Sequence, residues 1–388
     1  MVSIEEALNS IQNQEITSKV EVKPLPEVLG FALSENIMAP FDMPAFDNSA
    51  MDGYALCGLH QEYKIVGEIA AGDTKEIPLR DGEAARIFTG AKVPKDAISV
   101  IMQEKTQVQG NALFLKEMPK EGQSIRKKGS ELKKGQRVLQ KGHVLNPSSL
   151  GLIGSLGLDT VKVFSKPRIH MITTGNELVK PGQPKQEGQI YESNSFAIEG
   201  ALKQFGFQCA QQQQVKDDYE ETKKSIQESM ETCDVLILSG GISVGDYDFV
   251  KQALEENGVE ELFYKVFQKP GKPLYFGRKG NQFVFALPGN PASSLTCFFI
   301  YVLPLLQKWS GHSNLGLPWY RFTMGHDYEN RFDRPSFLKA RMTSDGVQIL
   351  DGQGSSMIQS MALGNALAFV ELGEKFKKGD LIRCKLIS

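Results

Sequence analysis

The hydrophobic pattern in the middle of the chain alternates between strand-like and helix-like segments. Residues 235–238 and 283–287 are apolar throughout, and residues 168–173 form a third run that is rich in apolar positions. Continuous apolar runs of this length are typical of strands that are covered on both faces. Helical patterns separate the runs, so residues 167–312 predict a three-layer α/β/α domain with a mostly parallel sheet between two helical layers.

The rest of the chain follows other patterns, which divide it into three further domains. Residues 1–40 and 138–166 carry helical patterns, and we expect them to pack together as one discontinuous domain. Between them, short apolar runs separated by Gly, Pro and Asp turns predict an inserted β domain at residues 41–137. Short strands return in residues 313–388 and predict a small C-terminal β-barrel. A chain of 388 residues is long enough for this α/β multi-domain architecture.

The composition narrows the function classes. The formal net charge of −2 provides no overall field that would favour nucleic acid or an anionic membrane. The five cysteines and the five histidines are scattered, so a zinc site is not expected. Unpaired cysteines predict a reducing compartment, and Glu5 and Glu6 lie where a signal peptide would be apolar, so we expect a cytoplasmic protein. The longest apolar run, residues 295–306, is too short to span a bilayer.

A glycine-rich loop follows the predicted strand at residues 235–238. It contains Gly240, Gly241, Ser243, Gly245, Asp246 and Asp248. Glycines between a buried strand and a helix allow backbone N–H groups to approach an anion closely. Two aspartates beside an anion would repel it unless a cation lies between them, which suggests Mg²⁺. The structural alternative is a tight turn in which Asp246 only caps the next helix.

Ionisable and polar residues follow several other predicted strands of the same sheet. They are Glu177, Asp217 or Asp218, Lys269, Lys272, Asn290 and Ser293. Ligands of open α/β sheets bind outside the carboxyl ends of the strands, so we expect these side chains to share one edge with the glycine loop. Carboxylates suit a hard divalent cation, and lysines suit a dianion. The pattern therefore predicts phosphoryl or nucleotidyl chemistry that works by positioning and charge neutralisation.

Five motifs along the whole chain together resemble the molybdopterin molybdenumtransferase family, which includes MoeA and the gephyrin E domain. They are Phe46-Asp-Asn-Ser-Ala-Met-Asp-Gly-Tyr54, Thr89-Gly-Ala91, Ser239-Gly-Gly-Ile-Ser-Val-Gly245, Lys269-Pro-Gly-Lys-Pro273 and Leu287-Pro-Gly-Asn-Pro291. The resemblance implies an elongated, four-domain homodimer whose active site is shared between subunits. It also implies a reaction in which molybdate is inserted into adenylylated molybdopterin and AMP is released.

The resemblance assigns roles to residues by similarity. Glu177 and Asp248 would hold Mg²⁺, with Asp217 nearby. The nucleotide and cofactor would contact Gly240, Gly241, Ser243, Gly245, Pro288, Asn290 and Pro291. Molybdate would contact Lys269, Lys272, Ser293, Arg334 and Ser355. Asp52 and Thr89 of the inserted β domain would reach an active site, either that of their own subunit or that of the partner subunit. A molybdopterin adenylyltransferase would be the substrate donor.

The chain departs from the family pattern at three places, and two other functions stay open. Asn176 stands where many relatives carry Asp, and Gly352 stands where they often carry His. Of the acidic pair that usually follows the basic loop, here Arg126-Lys-Lys-Gly129, only Glu131 remains. One alternative is a molybdopterin adenylyltransferase, which shares the sheet fold and usually has one domain. The other is a non-catalytic scaffold of the gephyrin type. The sequence does not distinguish molybdate from tungstate.

Overall fold

The computed structural model describes residues 1–73, 75–242 and 249–388. The predicted site residues Ser243, Gly245 and Asp248, and Asp246 with them, lie outside the described residues. The chain forms two compact units. One consists of residues 1–34, 142–150 and 160–388, and the other consists of residues 35–141 and 151–159.

The larger unit is built around a six-stranded sheet. In spatial order its strands are Cys209–Val215, Ile169–Thr174, Val235–Ser239, Gln282–Leu287, Tyr275–Lys279 and Glu260–Tyr264. The first four strands are parallel. Tyr275–Lys279 runs antiparallel to them, and the edge strand Glu260–Tyr264 pairs antiparallel with Tyr275–Lys279, so it runs in the direction of the first four. The prediction of a mostly parallel sheet is confirmed.

Helices cover both faces of this sheet. The helices of the described chain are Ile4–Gln12, Pro147–Ser155, Asn194–Gln204, Tyr219–Met230, Phe249–Glu256, Pro291–Cys297, Leu303–Trp309 and Ile358–Leu363, with a π-helix at Phe298–Val302. Val235 and Ile237 pack into one hydrophobic core with the helix Asn194–Gln204. Leu236 and Leu238 pack into another core with the helices Tyr219–Met230 and Phe249–Glu256. Because side chains alternate between sheet faces, two covered faces require the continuous apolar run seen in the sequence.

A second, antiparallel sheet forms the C-terminal part of the same unit. Its strands in order are Tyr320–Thr323, Leu381–Leu386, Ala366–Val370, Ser336–Thr343 and Gly346–Ile349. A bridge between Met324 and Val347 brings the two edges together, so the sheet curls around a core of its own. Closing the edges removes unpaired backbone groups, as in a barrel. A small pair, Tyr328–Glu329 with Lys375–Phe376, lies in the same region. This confirms the predicted C-terminal β architecture.

The smaller unit is a β structure. Its main sheet has the order Ser99–Met102, Gly53–Leu56, Glu83–Ile87, Glu62–Ile69, Ala112–Leu115 and Thr106–Gln109. Two short pairs accompany it, Asn48–Ser49 with Ile125–Arg126 and Ile37–Met38 with Arg137–Leu139. The strands of this sheet contribute Ala55, Ile87 and Val100 to a hydrophobic core. The predicted inserted β domain is therefore present as a folded unit.

The two sequence segments of the predicted discontinuous domain pair with each other. The strand Val20–Pro24 pairs with Thr160–Phe164, and Ala32 bridges Val144. The remaining short elements are the 3₁₀ turns Leu25–Glu27 and Gln103–Lys105 and the parallel pair Leu178–Val179 with Ile190–Tyr191. The exact four-domain boundaries stay predictions. No helix in the described part of the chain has the length and apolar character needed to cross a membrane.

Candidate functional site

The parallel strands of the large unit end at a common level. Ser239 lies in register with Thr173 on one side and with Leu287 on the other. The chain therefore leaves the sheet at the same edge in each case, and the loops that follow face one another.

These loops enclose a cleft of about 600 Å³. Seven of the predicted site residues line it: Glu177, Asp217, Gly240, Gly241, Pro288, Asn290 and Pro291. Leu178, Ile190, Tyr191 and Ile242 add an apolar wall, and Thr174, Asn194 and Ser356 add polar groups. A cleft with apolar walls and a few convergent polar groups is typical of a small-molecule site.

The glycine turn brings backbone close to a neighbouring strand end. Gly240 has a φ of +97°, and a Cβ atom there would lie 2.5 Å from the Thr174 carbonyl oxygen and 2.9 Å from Thr174 Oγ1. Only glycine fits this position without a shift of backbone. Thr174 Oγ1 itself is buried and has no hydrogen-bond partner among the described residues. The turn thus packs directly against the end of the neighbouring strand, beside a buried hydroxyl that lacks a hydrogen-bond partner among the described residues.

The structure separates the two aspartates that the sequence left as alternatives. The Asp217 carboxylate accepts a hydrogen bond from the Asn176 backbone N–H at 3.1 Å, and the Asp217 N–H donates to Asn176 Oδ1 at 3.2 Å. Asp218 instead caps the helix Tyr219–Met230, since its carboxylate accepts the Glu221 N–H at 2.8 Å. Asp217 therefore belongs to the cleft and Asp218 to the helix.

The cleft contains carboxylates that suit a hard cation. Glu177 and Asp217 both line it, and carboxylate oxygens are the ligands that Mg²⁺ prefers. Within the described ranges no group of three or more His, Cys, Asp or Glu side chains forms a metal cluster. The donor chemistry fits Mg²⁺, and the further predicted ligand, Asp248, lies outside the described residues.

Sequence reasoning missed the side chain that joins three cleft loops. Asn194 Nδ2 donates to Ser239 Oγ and to the Gly289 carbonyl oxygen, both at 2.8 Å. In the sequence, Ser193 and Asn194 directly precede a helical pattern, which predicts that they cap this helix. The structure assigns that task to Glu192, whose buried carboxylate accepts the Ser195 N–H at 2.8 Å. The polar pair before a helix was the only available signal, and it predicts capping rather than a bond between loops.

The cleft is connected to the C-terminal sheet through a serine. Asn290 Nδ2 donates to Ser355 Oγ at 3.1 Å, and the Ser293 N–H donates to the Ser355 carbonyl oxygen at 3.3 Å. Asn290 is the N-cap residue of the helix Pro291–Cys297, but its side chain makes no capping bond. Ser355 and Ser293 thus contact each other next to Asn290, a residue of the cleft.

The predicted cations form a second group. Lys269 Nζ lies 3.6 Å from the centre of the Phe332 ring. Arg334 binds Asp333 through two hydrogen bonds of 2.9 and 2.6 Å, and this pairing holds the pKa of the Asp333 carboxyl below its usual range. Asp333 was not predicted, and it takes two of the five N–H donors of the Arg334 guanidinium.

Lys272 is exposed and immediately precedes Pro273, a cleft residue. The described residues that line the cleft do not include the five predicted molybdate contacts, which are Lys269, Lys272, Ser293, Arg334 and Ser355.

A buried polar network lies beneath the lysine loop. Gln268 is fully buried, and its amide donates to the carbonyl oxygens of Pro270 at 3.0 Å and Gly271 at 3.3 Å. Tyr301, in the π-helix, donates its hydroxyl to Gln268 Oε1. Burial raises the pKa of Tyr301 well above its ordinary value, so the hydroxyl keeps its proton. The network fixes the backbone that carries Lys269 and Lys272.

The smaller unit contains the other predicted pair. Thr89 donates its backbone N–H and its hydroxyl to Asp52 Oδ1, each at 2.7 Å. These bonds from Thr89 lower the pKa of Asp52, so the carboxylate is charged at neutral pH. Both residues are exposed, and they form one acidic site on the surface of this unit.

Comparisons with known proteins agree along the whole chain. Residues 2–157 match the profile of the MoeA N-terminal region (domain I and II), residues 170–308 that of a probable molybdopterin binding domain, and residues 321–387 that of the MoeA C-terminal region (domain IV). A molybdopterin molybdenumtransferase of Haemophilus influenzae is 36% identical over 324 residues, which cover 82% of this chain and 80% of the relative. One of a Nostoc species is 33% identical and covers 95% and 88%. The crystal structure of a molybdopterin biosynthesis MoeA protein from Pyrococcus horikoshii superposes with a TM-score of 0.85 at 27% identity, over all of both chains.

Proposed function

The chain belongs to the molybdopterin molybdenumtransferase family, a transferase family of molybdenum cofactor biosynthesis, and we propose that it inserts molybdate into adenylylated molybdopterin with release of AMP. The observation that carries this proposal is the cleft at the strand ends, which Glu177 and Asp217 line together with the glycine turn. A phosphate-bearing substrate needs N–H donors and a cation at the same place, and this cleft offers groups for both.

Different residues of the cleft would bind different parts of the substrate. The Gly240 N–H already donates to the Leu287 carbonyl oxygen at 3.3 Å, so Gly240 would allow close approach of the nucleotide phosphate and the Gly241 N–H would donate to it. Pro288, Asn290 and Pro291 would shape the opposite wall. Glu177 with Asp248, and Asp217 nearby, would hold Mg²⁺, which neutralises charge on the phosphate when bound. The substrate brings its own dithiolene sulfur atoms, so the site needs no cysteine. All five cysteines are free thiols, which supports a reducing compartment such as the cytoplasm.

Molybdate would bind on the side of the C-terminal sheet. Ser293 and Ser355 offer hydrogen bonds there, and Lys269, Lys272 and Arg334 offer positive charge. Asp333 takes the Arg334 Nε–H and one Nη2–H, and a guanidinium has five N–H donors, so Arg334 could donate to the oxyanion while it keeps Asp333.

The test is a complete reaction with purified protein. Adenylylated molybdopterin, molybdate and Mg²⁺ are expected to yield AMP and a cofactor that activates a molybdenum-free apoenzyme. Glu177→Gln should abolish AMP release, because the amide cannot balance the cation's charge. Glu187→Gln, at an exposed position of the same unit, should leave the rate unchanged. AMP release that is equally fast in Glu177→Gln, or that persists without Mg²⁺, would contradict the proposal.

The same assay separates the two alternative functions. A molybdopterin adenylyltransferase would consume ATP and molybdopterin and form pyrophosphate, whereas we expect neither to react. A non-catalytic scaffold would leave adenylylated molybdopterin intact. We also propose that a molybdopterin adenylyltransferase supplies the substrate, because the adenylylated form must come from such a reaction.

We further propose a homodimer in which Asp52 and Thr89 of one subunit complete the cleft of the other. Their paired, charged site on the surface of the smaller unit supports this assignment. Asp52→Ala and Glu177→Gln should each be inactive alone, and mixed dimers should regain part of the activity because one cleft has both residues. Absence of recovery from demonstrated mixed dimers would exclude a shared site.

A further inference from the structure

Lys339 is a lysine in the interior of the C-terminal sheet. It lies in the strand Ser336–Thr343 and is 1% exposed. Its ammonium group donates to the carbonyl oxygens of Gly352 at 2.6 Å, Gly354 at 2.9 Å and Met357 at 3.2 Å. Three donors on the ammonium thus meet three acceptors on a single loop, residues 352–357.

The backbone and a neighbouring amide tie the same loop to the same strand. Gln353 Oε1 accepts the Lys339 N–H at 3.0 Å, and Gln353 Nε2 donates to the Lys339 carbonyl oxygen at 2.8 Å. Ser360 Oγ donates to the Gly352 carbonyl oxygen at 2.7 Å. The loop has little regular structure, so its conformation depends on these few contacts.

This loop carries groups of the cleft. Ser356 lines the cleft, and Ser355 receives hydrogen bonds from Asn290 and Ser293. A charged group in a protein interior is unfavourable unless a specific arrangement satisfies it. Here the arrangement that satisfies the ammonium is also the one that presents these two serines.

We propose that Lys339 is a positioning residue: its buried ammonium holds residues 352–357 in the conformation that presents Ser355 and Ser356 to the oxyanion substrate. The role in catalysis rests on the function proposed above, whereas the role in holding the loop does not. Lys339 does not contact the cleft itself and acts through the loop carbonyl groups.

The surroundings of Lys339 make its charge sensitive to pH. Burial lowers the pKa of Lys339 to about 8. The adjacent strands Gly346–Ile349 and Ala366–Val370 and the helix Ile358–Leu363 carry no ionisable side chain. Asp351, just before the loop, and Arg341, in the strand Ser336–Thr343, are both exposed. Loss of the proton would leave three carbonyl oxygens facing two N–H donors and a lone pair, so the loop should loosen as the pH rises through about 8.

The variants Lys339→Met and Lys385→Met test the proposal. Methionine keeps most of the side-chain volume and removes the donors. Lys385 is a matched control, because it is also buried in the C-terminal sheet, at 8% exposure, and donates to the Leu317 carbonyl oxygen rather than to the loop. Burial lowers the pKa of Lys385 to about 8 as well.

Hydrogen exchange measures the protection of the loop amides and does not depend on catalytic activity. In Lys339→Met the amides of residues 352–357 should exchange faster by about tenfold or more, and in Lys385→Met they should exchange as in the wild type. Unchanged exchange in Lys339→Met, or an equal increase in both variants, overturns the proposal. If Lys339→Met does not fold, the pH dependence of hydrogen exchange in the wild type tests the proposal instead. Its loop protection, corrected for intrinsic exchange, should fall between pH 7 and pH 9, and constant protection overturns the proposal.

Kinetics then measure the consequence for the reaction. Lys339→Met should raise KM for molybdate by about tenfold or more while KM for adenylylated molybdopterin changes little, because only the oxyanion end of the cleft moves. In the wild type and in Lys385→Met, KM for molybdate should rise between pH 7 and pH 9, and in Lys339→Met this rise should be absent. The same rise in Lys339→Met overturns the positioning role. A wild type that releases no AMP refutes the proposed function and leaves the exchange result valid.

Discussion

Replacing Gly240 by alanine tests how the glycine turn is built. Alanine at a φ of +97° meets the left-handed penalty, about 1–2 kcal/mol, which is partly offset because alanine restricts the unfolded chain by about 0.4–1 kcal/mol. At Gly240 the new Cβ would also lie 2.5 Å from the Thr174 carbonyl oxygen. Thr174 ends a paired strand and cannot move freely, so the overlap should add about 1–3 kcal/mol.

A second glycine isolates the effect of the overlap. Gly379 has a φ of +96°, and a Cβ atom there would meet no atom within 4 Å. Gly379→Ala therefore carries the same backbone penalty without the contact. We expect Gly240→Ala to lower the free energy of unfolding by about 1–3 kcal/mol more than Gly379→Ala does.

Urea unfolding followed by tryptophan fluorescence is a suitable assay. The two tryptophans of the chain, Trp309 and Trp319, both lie in the larger unit, so the signal reports the unit that contains both glycines. Gly240→Ala should also weaken binding of adenylylated molybdopterin in calorimetry, while Gly379→Ala binds like the wild type. Equal unfolding free energies for the two variants would show that the close approach to Thr174 has no energetic consequence, and the reasoning would be wrong.

Three further predictions concern other parts of the larger unit. Asp217→Asn should reduce AMP release with little loss of stability. Asp218→Ala should lower the unfolding free energy by about 1 kcal/mol and leave the rate of AMP release unchanged, since only this variant removes a helix cap. The reverse result would contradict the separation of the two roles. Tyr301→Phe should cost about 1–3 kcal/mol in urea unfolding, because Gln268 Oε1 is left buried without its donor, and a neutral result would exclude that bond. Burial lowers the pKa of His312 to about 4 from 6.5, so the unfolded chain binds a proton that the folded state does not, and stability should fall as the pH drops from 6.5 towards 4. His312→Asn should reduce that slope, and an identical slope would show that His312 does not contribute.

The sequence alone determined the strands of the central sheet and the edge at which polar residues gather. The apolar run at residues 235–238 required a strand covered on both faces, and the structure places its alternate residues in two cores. Polar residues clustered after the strands rather than before them, and this local order predicted the shared edge. Hydrophobic periodicity and turn chemistry act over a few residues, so they can be read without the fold.

Only the tertiary structure decided which side chains act together. Adjacent aspartates at 217 and 218 look alike in sequence, and their roles diverge because one faces Asn176 and the other the start of a helix. Asn194 joins loops 45 and 95 residues away, and Lys339 reaches a loop 13 to 18 residues ahead. Such bonds depend on strand register and on packing between distant segments, and neither has a period along the chain.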